Sequence, residues 1–499
     1  MSNNDELHKK TDETITTKLI NDWFKMANDV TIFPHTLDKQ AEHSSIVFIY
    51  SNGMIDNSLI YKFVLPEVHE LYQATNFSNA SDMNDANKML WKFYDTKGTN
   101  ITSEWISNYI FEGMLLLFVP HLQSFWMINL ANVPKRQPTD SASEVSIRGS
   151  KDGFIEHLET NISLIRKRLK TTNLACEYFE IGQESKTKTA LLYMSDIANP
   201  DTAEQIRSKL EEITLEKLIS TGQLEELLAP SKFAIFPTSD YTGRADFAAQ
   251  CLMSGRFIIL LDNNPTAIII PVNLFLLMKS PEDMYYPLIS VMFGRIIRVV
   301  GLWITIFLPG LYIAFTTYHS DQIPFTLLAT ISLGRHGLPM ESPIEMFFIM
   351  SLMELFREAG IRMPSSVGQT LTVVGGLIIG DAAIRAGIVS PLMIVISAIT
   401  VVSGATLVNQ LLTSSTTLLR YTSFFLSSIF GMYGFMLSLI AFIAYMTNIR
   451  SFGVSYLSPL APLKLSELLA GILKAPIQWN NKRPHELHSR KPRRKKDKK

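Results

Sequence analysis

Asp381 and Arg385 stand four residues apart in "SSVGQTLTVVGGLIIGDAAIRAGIVSP", Ser365 to Pro391, a stretch otherwise free of charge and about long enough to cross a bilayer. On a helix that spacing puts a carboxylate and a guanidinium on one face as an i,i+4 pair. An ionisable pair at membrane depth is costly and points to function. Near the end of a span, where Asp381 lies, the same pair is an ordinary interfacial one. Four small residues in the same stretch, Gly376, Gly380, Ala383 and Gly387, follow at steps of four, three and four. A helix face free of bulk lets backbones approach in lipid, where hydrophobic force does not drive helices together. Helix packing is therefore the first reading of that face, and bordering a conduction path the second. A polar stripe follows at the same spacing: Ser403, Thr406, Gln410, Thr413 and Thr417. Such a stripe bonds across to other helices or lines water.

Elsewhere the chemistry is thin. "GQESKTKT", Gly182 to Thr189, ends like a phosphate loop but lacks the second glycine before the lysine, so no cradle of backbone amides is expected. "IRGSKDGF" carries Arg148, Lys151 and Asp152 on a glycine-bracketed turn and reads as the cap of the helix that follows. His121 and His157 stand alone. The two cysteines, Cys176 and Cys251, are spaced neither as a zinc site nor as a disulfide framework, and free thiols suit a reducing compartment. No Ser/His/Asp, Cys/His or paired-carboxylate set can be assembled. The expectation is a protein that is not an enzyme and that carries no cofactor and no metal.

The elements that must position these residues divide by composition. The 499 residues carry 46 Lys/Arg and 46 Asp/Glu, yet charge is uneven. The first half is polar, nearly every long charge-free run lies after Met284, and Lys482 to Lys499 holds ten Lys/Arg against two acids. "MSNNDELHKKTDETITTK" has no apolar core of a signal peptide, which predicts that the first half stays in the cytoplasm. That half repeats itself. "IVFIYSNGMIDNSLIYKFVL" and "ALLYMSDIANPDTAEQIRSKL" each read as a strand, a turn and a helix, with Tyr50 and Asp56 falling opposite Tyr193 and Asn199. "GMLLLFVPHLQSFWMINL" and "GRFIILLDNNPTAIIIPVNL" each read as a glycine followed by a hairpin. The interval from Tyr50 to Gly113 is 63 residues and that from Tyr193 to Gly255 is 62. The fold class predicted is an α/β soluble N-terminal half of two related subdomains, 40–136 and 145–280, followed by an α-helical transmembrane domain, 287–449. A polar segment, 1–39, precedes them. A linker at 137–144, within "VPKRQPTDSASE", joins the subdomains. A juxtamembrane segment, 450–481, and a basic cytoplasmic tail, 482–499, end the chain.

About four crossings are expected in the apolar part: Val299 to Tyr318, then about 366–386, about 389–411, and Tyr421 to Ile449. "QIPFTLLATISLG" is too short to cross and suits a re-entrant or interfacial piece. "ESPIEMFFIMSLMELFREAGIR" gathers Glu354, Arg357, Glu358 and Arg362 on one face late, as an amphipathic helix does. Arg295, Arg298, Arg450 and the tail mark the side of both termini as cytoplasmic. Arg420 and the basic residues between 335 and 362 then fall outside, against that rule.

Four blocks carry a resemblance to a known family: "EVSIRGSKDGFIEHLETNISLIRKRL", "GQESKTKTALLYMSDIAN", "REAGIRMPSSVGQTLTVVGGLIIGDAAIRAGIVSP" and "SFGVSYLSPLAPLKLSELLAGILKAPIQWNNKRP". From about Ile46 to Pro484 the chain resembles the A subunits of spore germinant receptors of endospore-forming bacteria. The resemblance implies an integral protein of the inner spore membrane, working beside a transporter-like B subunit and a lipoprotein C subunit. It implies a homo-oligomer in the lipid bilayer that conducts ions when a nutrient is sensed, with no nucleic-acid partner. The nutrient pocket of that family lies in the B subunit, so no ligand residues are expected here. The chain departs from the family at "TGRAD", Thr242 to Asp246, where Arg244 and Asp246 remain but an acid and a proline of the usual block are gone. That departure touches a soluble-domain turn or a contact between subunits. Two rival readings are a secondary transporter, which would show broken, repeated helices, and a scaffold that assembles the complex without a pore.

Overall fold

The structure is a computed structural model, and it describes residues 15–38, 44–78, 92–95, 101–131, 147–231, 234–362, 380–463, 467–468, 471, 474 and 482–493. The linker at 137–144 lies outside them. The chain forms two units. One takes the N-terminal half as far as Pro271 together with residues 482–493, and the other takes residues 234–240 and the chain from Val272 on.

The first unit contains two sheets of one topology. Strands β1 (Val30–Thr36), β2 (Ser45–Ser51), β3 (Lys92–Asp95), β4 (Met114–Val119) and β5 (Ser124–Asn129) lie in the order β1-β2-β4-β5-β3. Strands β6 (Leu174–Ile181), β7 (Thr187–Met194), β8 (Asp240–Thr242), β9 (Phe257–Leu261) and β10 (Ala267–Ile270) lie in the order β6-β7-β9-β10-β8, the same pattern shifted by five. The strands carrying Tyr50 and Tyr193 hold the second place in each. Both expected hairpins form, with Leu116 opposite Met127 and Ile258 opposite Ile269. Strands with both faces buried read as short apolar runs, and β4 and β9 are buried nearly throughout.

Helices interleave in the same order. In the first subdomain these are α1 (Thr17–Trp23), α2 (Leu65–Thr75) and α3 (Ser103–Ile110); in the second, α4 (Leu158–Arg166), α5 (Pro200–Glu212), α6 (Thr221–Leu228) and α7 (Ala245–Ser254). The repeat extends to cap chemistry. Asp56 accepts a hydrogen bond from the Ser58 amide at 2.9 Å, and its counterpart Asn199 accepts one from the Asp201 amide at 3.0 Å, each satisfying an orphan N–H at a helix start. Helix α1 and strand β1 precede residue 40, where composition alone predicts only a polar segment. They form because Ile20, Phe24 and Ala27 are buried in the first core with Val47, Ile49 and Leu116.

Asp29 and Arg166 join the subdomains. The guanidinium clasps the carboxylate at both oxygens, at 2.7 and 2.6 Å, and both side chains are buried. Arg166 also donates to the carbonyls of Thr171 and Leu174 and stacks its charge 4.5 Å over the Phe111 ring. Beside this pair Ala27 bridges in parallel to Cys176. Burial and the neighbouring Asp29 push the Cys176 thiol well above its ordinary pKa. Since the thiolate is the reactive form, Cys176 and the equally buried Cys251 are expected to resist maleimide in the folded protein and to label fully only in denaturant. A mass-spectrometric count of adducts before and after unfolding checks this, and labelling of the native protein would refute it.

The residues 482–493, expected as part of a basic tail, fold onto the second subdomain. Arg483 donates to the carbonyls of Met253, Lys491 and Arg493, the Arg490 amide donates to the Ile197 carbonyl at 2.9 Å, and Lys491 pairs with Asp196 at 2.7 Å.

The second unit is helical: α8 (Leu288–Ile313), α9 (Phe325–Gly334), α10 (Ser342–Arg362), α11 (Pro391–Ala405) and α12 (Gln410–Asn448). Helix α8 continues as a π turn to Tyr318, and among the described residues α8 and α12 are the two helices long and apolar enough to cross a membrane. Helix α12 is broken at Gly431, whose φ of 60° and ψ of −137° leave the helical region. The hydroxyls of Ser423 and Ser438 lie 3.0 Å apart, whereas fifteen residues of straight helix span about 22 Å. The two arms therefore fold back on each other as a hairpin. Tyr318 closes its tip, donating to the Ser428 carbonyl at 2.7 Å.

Candidate functional site

The candidate residues of the opening stretch are described from Gly380 on; Gly376 lies outside the described residues. Asp381 and Arg385 pair at 2.8 Å with side chains 57% and 79% exposed, so this is the interfacial kind of pair and not a buried charge. Ala383 is buried in a core with Ile313, Met346, Ile349, Met393 and Phe424. A Cβ on Gly380 would meet Ile394 at 3.9 Å, an ordinary contact. Gly387 leaves the shared face. Its φ is +65°, its amide bonds back to the Ile384 carbonyl, and the Ile388 amide bonds to the Ala383 carbonyl. That is a Schellman closure with glycine at its left-handed position. In sequence a capping glycine and a packing glycine look alike.

The polar stripe is divided. Helix α11 ends at Ala405 with Thr406 as its C-cap, and Asn409 caps α12 by accepting from the Leu412 amide at 2.9 Å. The expected crossing at 389–411 is thereby shortened, and Ser403 lies on one helix while Gln410, Thr413 and Thr417 lie on the next. The hydroxyls turn to their own backbone: Thr406 donates to the Ser403 carbonyl, Thr413 to that of Asn409 and Thr417 to that of Thr413. The run Tyr421 to Ile449, expected as one crossing, is likewise folded at Gly431.

A different small-residue seam comes together, on α8. A Cβ on Gly301 would lie 3.0 Å from the Ser403 carbonyl, and one on Gly310 would lie 3.1 Å from the Ser423 carbonyl and 2.8 Å from the Ser427 hydroxyl. Thr305 packs against Gly404 and donates to the Gly301 carbonyl. These contacts bring α11 and the first arm of α12 to near-backbone distance of α8, as small residues allow. The signal was present in sequence, since Ser423, Ser427 and Gly431 recur every four residues.

Several charges of this unit, unlike the exposed Asp381–Arg385 pair, are internal and paired. Arg420, the residue that defied the positive-inside rule, is buried and donates to Glu354 at 3.0 Å, while Arg357 holds the other oxygen of the same carboxylate. Arg295 and Arg298 both clasp Asp283, at 2.9 and 3.1 Å. Glu345 is fully buried and accepts from the Ser390 amide at the start of α11.

In the first unit the remaining motifs are structural. Gly182 to Lys186 is the β6–β7 turn, His157 caps α4, His121 bonds the Phe77 carbonyl at 2.5 Å, and Asp152 pairs with Arg168. Arg244 and Asp246 of "TGRAD" form a buried pair at 2.6 Å. Among the described residues no three His, Cys, Asp or Glu side chains are grouped to hold a metal.

Two sheets of one topology, joined to a helical unit that buries Arg420, Glu345 and Asp283, define a two-part protein with a repeated α/β half and an apolar helical half. Over residues 18–486 the chain matches the family described as Bacillus/Clostridium GerA spore germination protein, and it belongs to that family. It is 40% identical to "Spore germination protein XA" of Bacillus anthracis over 94% of each chain. It is 31% identical to "Spore germination protein KA" of Bacillus subtilis (strain 168), covering 92% of this chain and 84% of that one. Among solved structures it is similar to the N-terminal domain of the A subunit of the Bacillus megaterium spore germinant receptor GerK3, with a TM-score of 0.35 and 24% identity over 51% of this chain and 92% of that one.

Proposed function

We propose that this chain is the membrane subunit of a nutrient-sensing germination receptor of the spore inner membrane, and that several copies together supply its ion-conducting path. The observation that carries the membrane part is an inverted helical unit. Arg420, Glu345 and Asp283 are inside, while Ile289, Phe293, Phe325, Leu333, Val402, Ile429 and Ile440 are all more than 60% exposed. Apolar side chains outside and compensated charges inside suit lipid and not water. The arms of the hairpin, 410–430 and 432–448, are about 31 and 26 Å long, close to the thickness of a bilayer core. The described tail residues belong to the unit that contains the N-terminal half, which supports both termini on one side, the cytoplasmic one by the charge rule. Family membership supports a transporter-like B subunit and a lipoprotein C subunit as partners. The helices of one copy close on one another through the α8 seam, so conduction is assigned to a homo-oligomer.

The test is nutrient-triggered potassium efflux from liposomes holding all three subunits. Efflux that requires this chain supports the proposal; an intact, nutrient-binding complex without efflux makes the chain a scaffold. Gly380→Leu refines it. A Cβ at the buried Gly380 makes only ordinary contact with Ile394, so Gly380→Ala is the control expected to fold normally, and Gly380→Leu is expected to lose oligomer or efflux if the small-residue face meets another copy. Normal efflux from that variant would reduce the helix to an anchor.

A further inference from the structure

We propose that the corner of the helical unit where α8 meets α9 holds a site for a small oxyanion, a carboxylate or phosphate group, which Arg335 takes in competition with Glu345. A cavity of about 430 Å³ opens there, with Thr316, Ser320, Ser332 and Arg335 as its polar wall and Ile323 and Ile331 on the apolar side. That volume lies in the range of small-molecule sites. The Thr316 hydroxyl is spent on the Tyr312 carbonyl, so Ser320 and Ser332 supply the hydroxyl donors.

The two charges beside this cavity are held unequally. Glu345 has no exposed side-chain surface. One of its oxygens accepts from the Ser390 amide, the N-cap of α11, where the amide dipoles of a fifteen-residue helix favour a negative charge. Its other oxygen makes no hydrogen bond. Arg335 is about a quarter exposed; its terminal nitrogens donate to Ser342 and to the Met340 carbonyl, but its buried Nε–H has no acceptor. Nε lies 3.7 Å from the unbonded Glu345 oxygen, an attraction too long for a hydrogen bond. Glu345 is thus anchored without Arg335, whereas Arg335, about a quarter exposed, also lines an open cavity while its buried Nε–H stays against Glu345. An oxyanion in the cavity meets the exposed part of the guanidinium, whose terminal nitrogens carry N–H groups beyond the two bonded to Ser342 and Met340, and draws it from a partner to which it is not bonded. The group that arrives is either a free solute or the phosphate of a lipid headgroup, since both present the same oxygens.

The full chain in nanodiscs separates these. In discs of phosphatidylcholine alone, inorganic phosphate is titrated by calorimetry; in discs with phosphatidylglycerol, the anionic lipid retained by the protein is counted by native mass spectrometry. Arg335→Gln is expected to weaken phosphate binding, or lipid retention, at least tenfold. Glu345→Gln keeps the bond to the Ser390 amide but removes the competing charge, and it is expected to tighten binding about tenfold, as a charge several ångströms away does in a partly buried site. Ser332→Val leaves the ion pair intact and is expected to weaken binding severalfold, which keeps the test open if Arg335→Gln fails to fold. Phosphate binding with this pattern assigns a free oxyanion, and lipid retention with this pattern but no phosphate binding assigns a headgroup. If neither ligand responds to Arg335→Gln or Ser332→Val, the site is overturned. If Glu345→Gln weakens binding, the competition is overturned and the pair is a structural brace.

Discussion

Asp29→Ala is expected to destabilise the N-terminal unit by about 3–5 kcal/mol, the range for removing one partner of a buried ion pair. Among the described residues the carboxylate is the only charge that the guanidinium of Arg166 clasps, and the arginine side chain has no exposed surface. Without Asp29 it retains two carbonyls and the face of Phe111, which offset only part of the desolvation of a full charge. The loss falls on the joint between subdomains, because Asp29 belongs to the first and Arg166 to the second. Replacing both, as Asp29→Leu with Arg166→Met, removes the stranded charge and is expected to restore most of the stability, since an apolar pair of similar volume is often as good. Denaturant unfolding of the purified chain, followed by tryptophan fluorescence, gives both values. A loss below about 1 kcal/mol in Asp29→Ala would mean that water reaches the joint and that the pair is not what holds it.

The repeat in the first half was legible because each of its parts is local. Strands such as β4 and β9 are uninterrupted apolar runs, Asp56 and Asn199 are cap residues at matching places, and intervals of 63 and 62 residues tie the parts together. The joint was not legible, because its two charges are 137 residues apart and either alone reads as a solvated surface group. The same limit explains Arg420. By local rules it was a topology signal out of place, and only Glu354, 66 residues earlier, makes it a buried pair. Helix α1 and strand β1 were missed because their apolar residues are mixed with polar ones, and their burial depends on a core supplied by β2 and β4. For the candidate site the spacing rule found small residues but not their use. Ala383 packs, Gly387 ends a helix, and the glycines of α8 that meet other backbones are Gly301 and Gly310, on a helix where no regular small-residue spacing marks them. A polar stripe at steps of three and four presumes one continuous helix, and the chain breaks it between Ala405 and Gln410.

Gly431→Val is expected to abolish the hairpin and, with it, any nutrient response. A Cβ is unfavourable at φ 60° and ψ −137°, close to a region that only glycine enters freely, which costs about 1–3 kcal/mol before any contact is counted. Contact then adds to it. The new Cβ would lie 2.9 Å from Cγ of Tyr318, a ring already fixed by its bonds to the carbonyls of Ser428 and Ile429. A branched residue meets this wall with two further methyl groups. The relaxed alternative is a straight helix through the run from Gln410 to Asn448, which satisfies every backbone bond but separates the two arms and pulls Ser438 off Ser423. Cross-linking distinguishes the two forms directly. Cysteines placed at Ser423 and Ser438, whose hydroxyls are 3.0 Å apart, are expected to form a disulfide under mild oxidation, with Cys176 and Cys251 silent because they are buried. Adding Gly431→Val is expected to remove that cross-link, since the same positions on a straight helix stand about 22 Å apart. A cross-link that persists at full yield in the valine variant would show that the reversal does not depend on glycine at position 431.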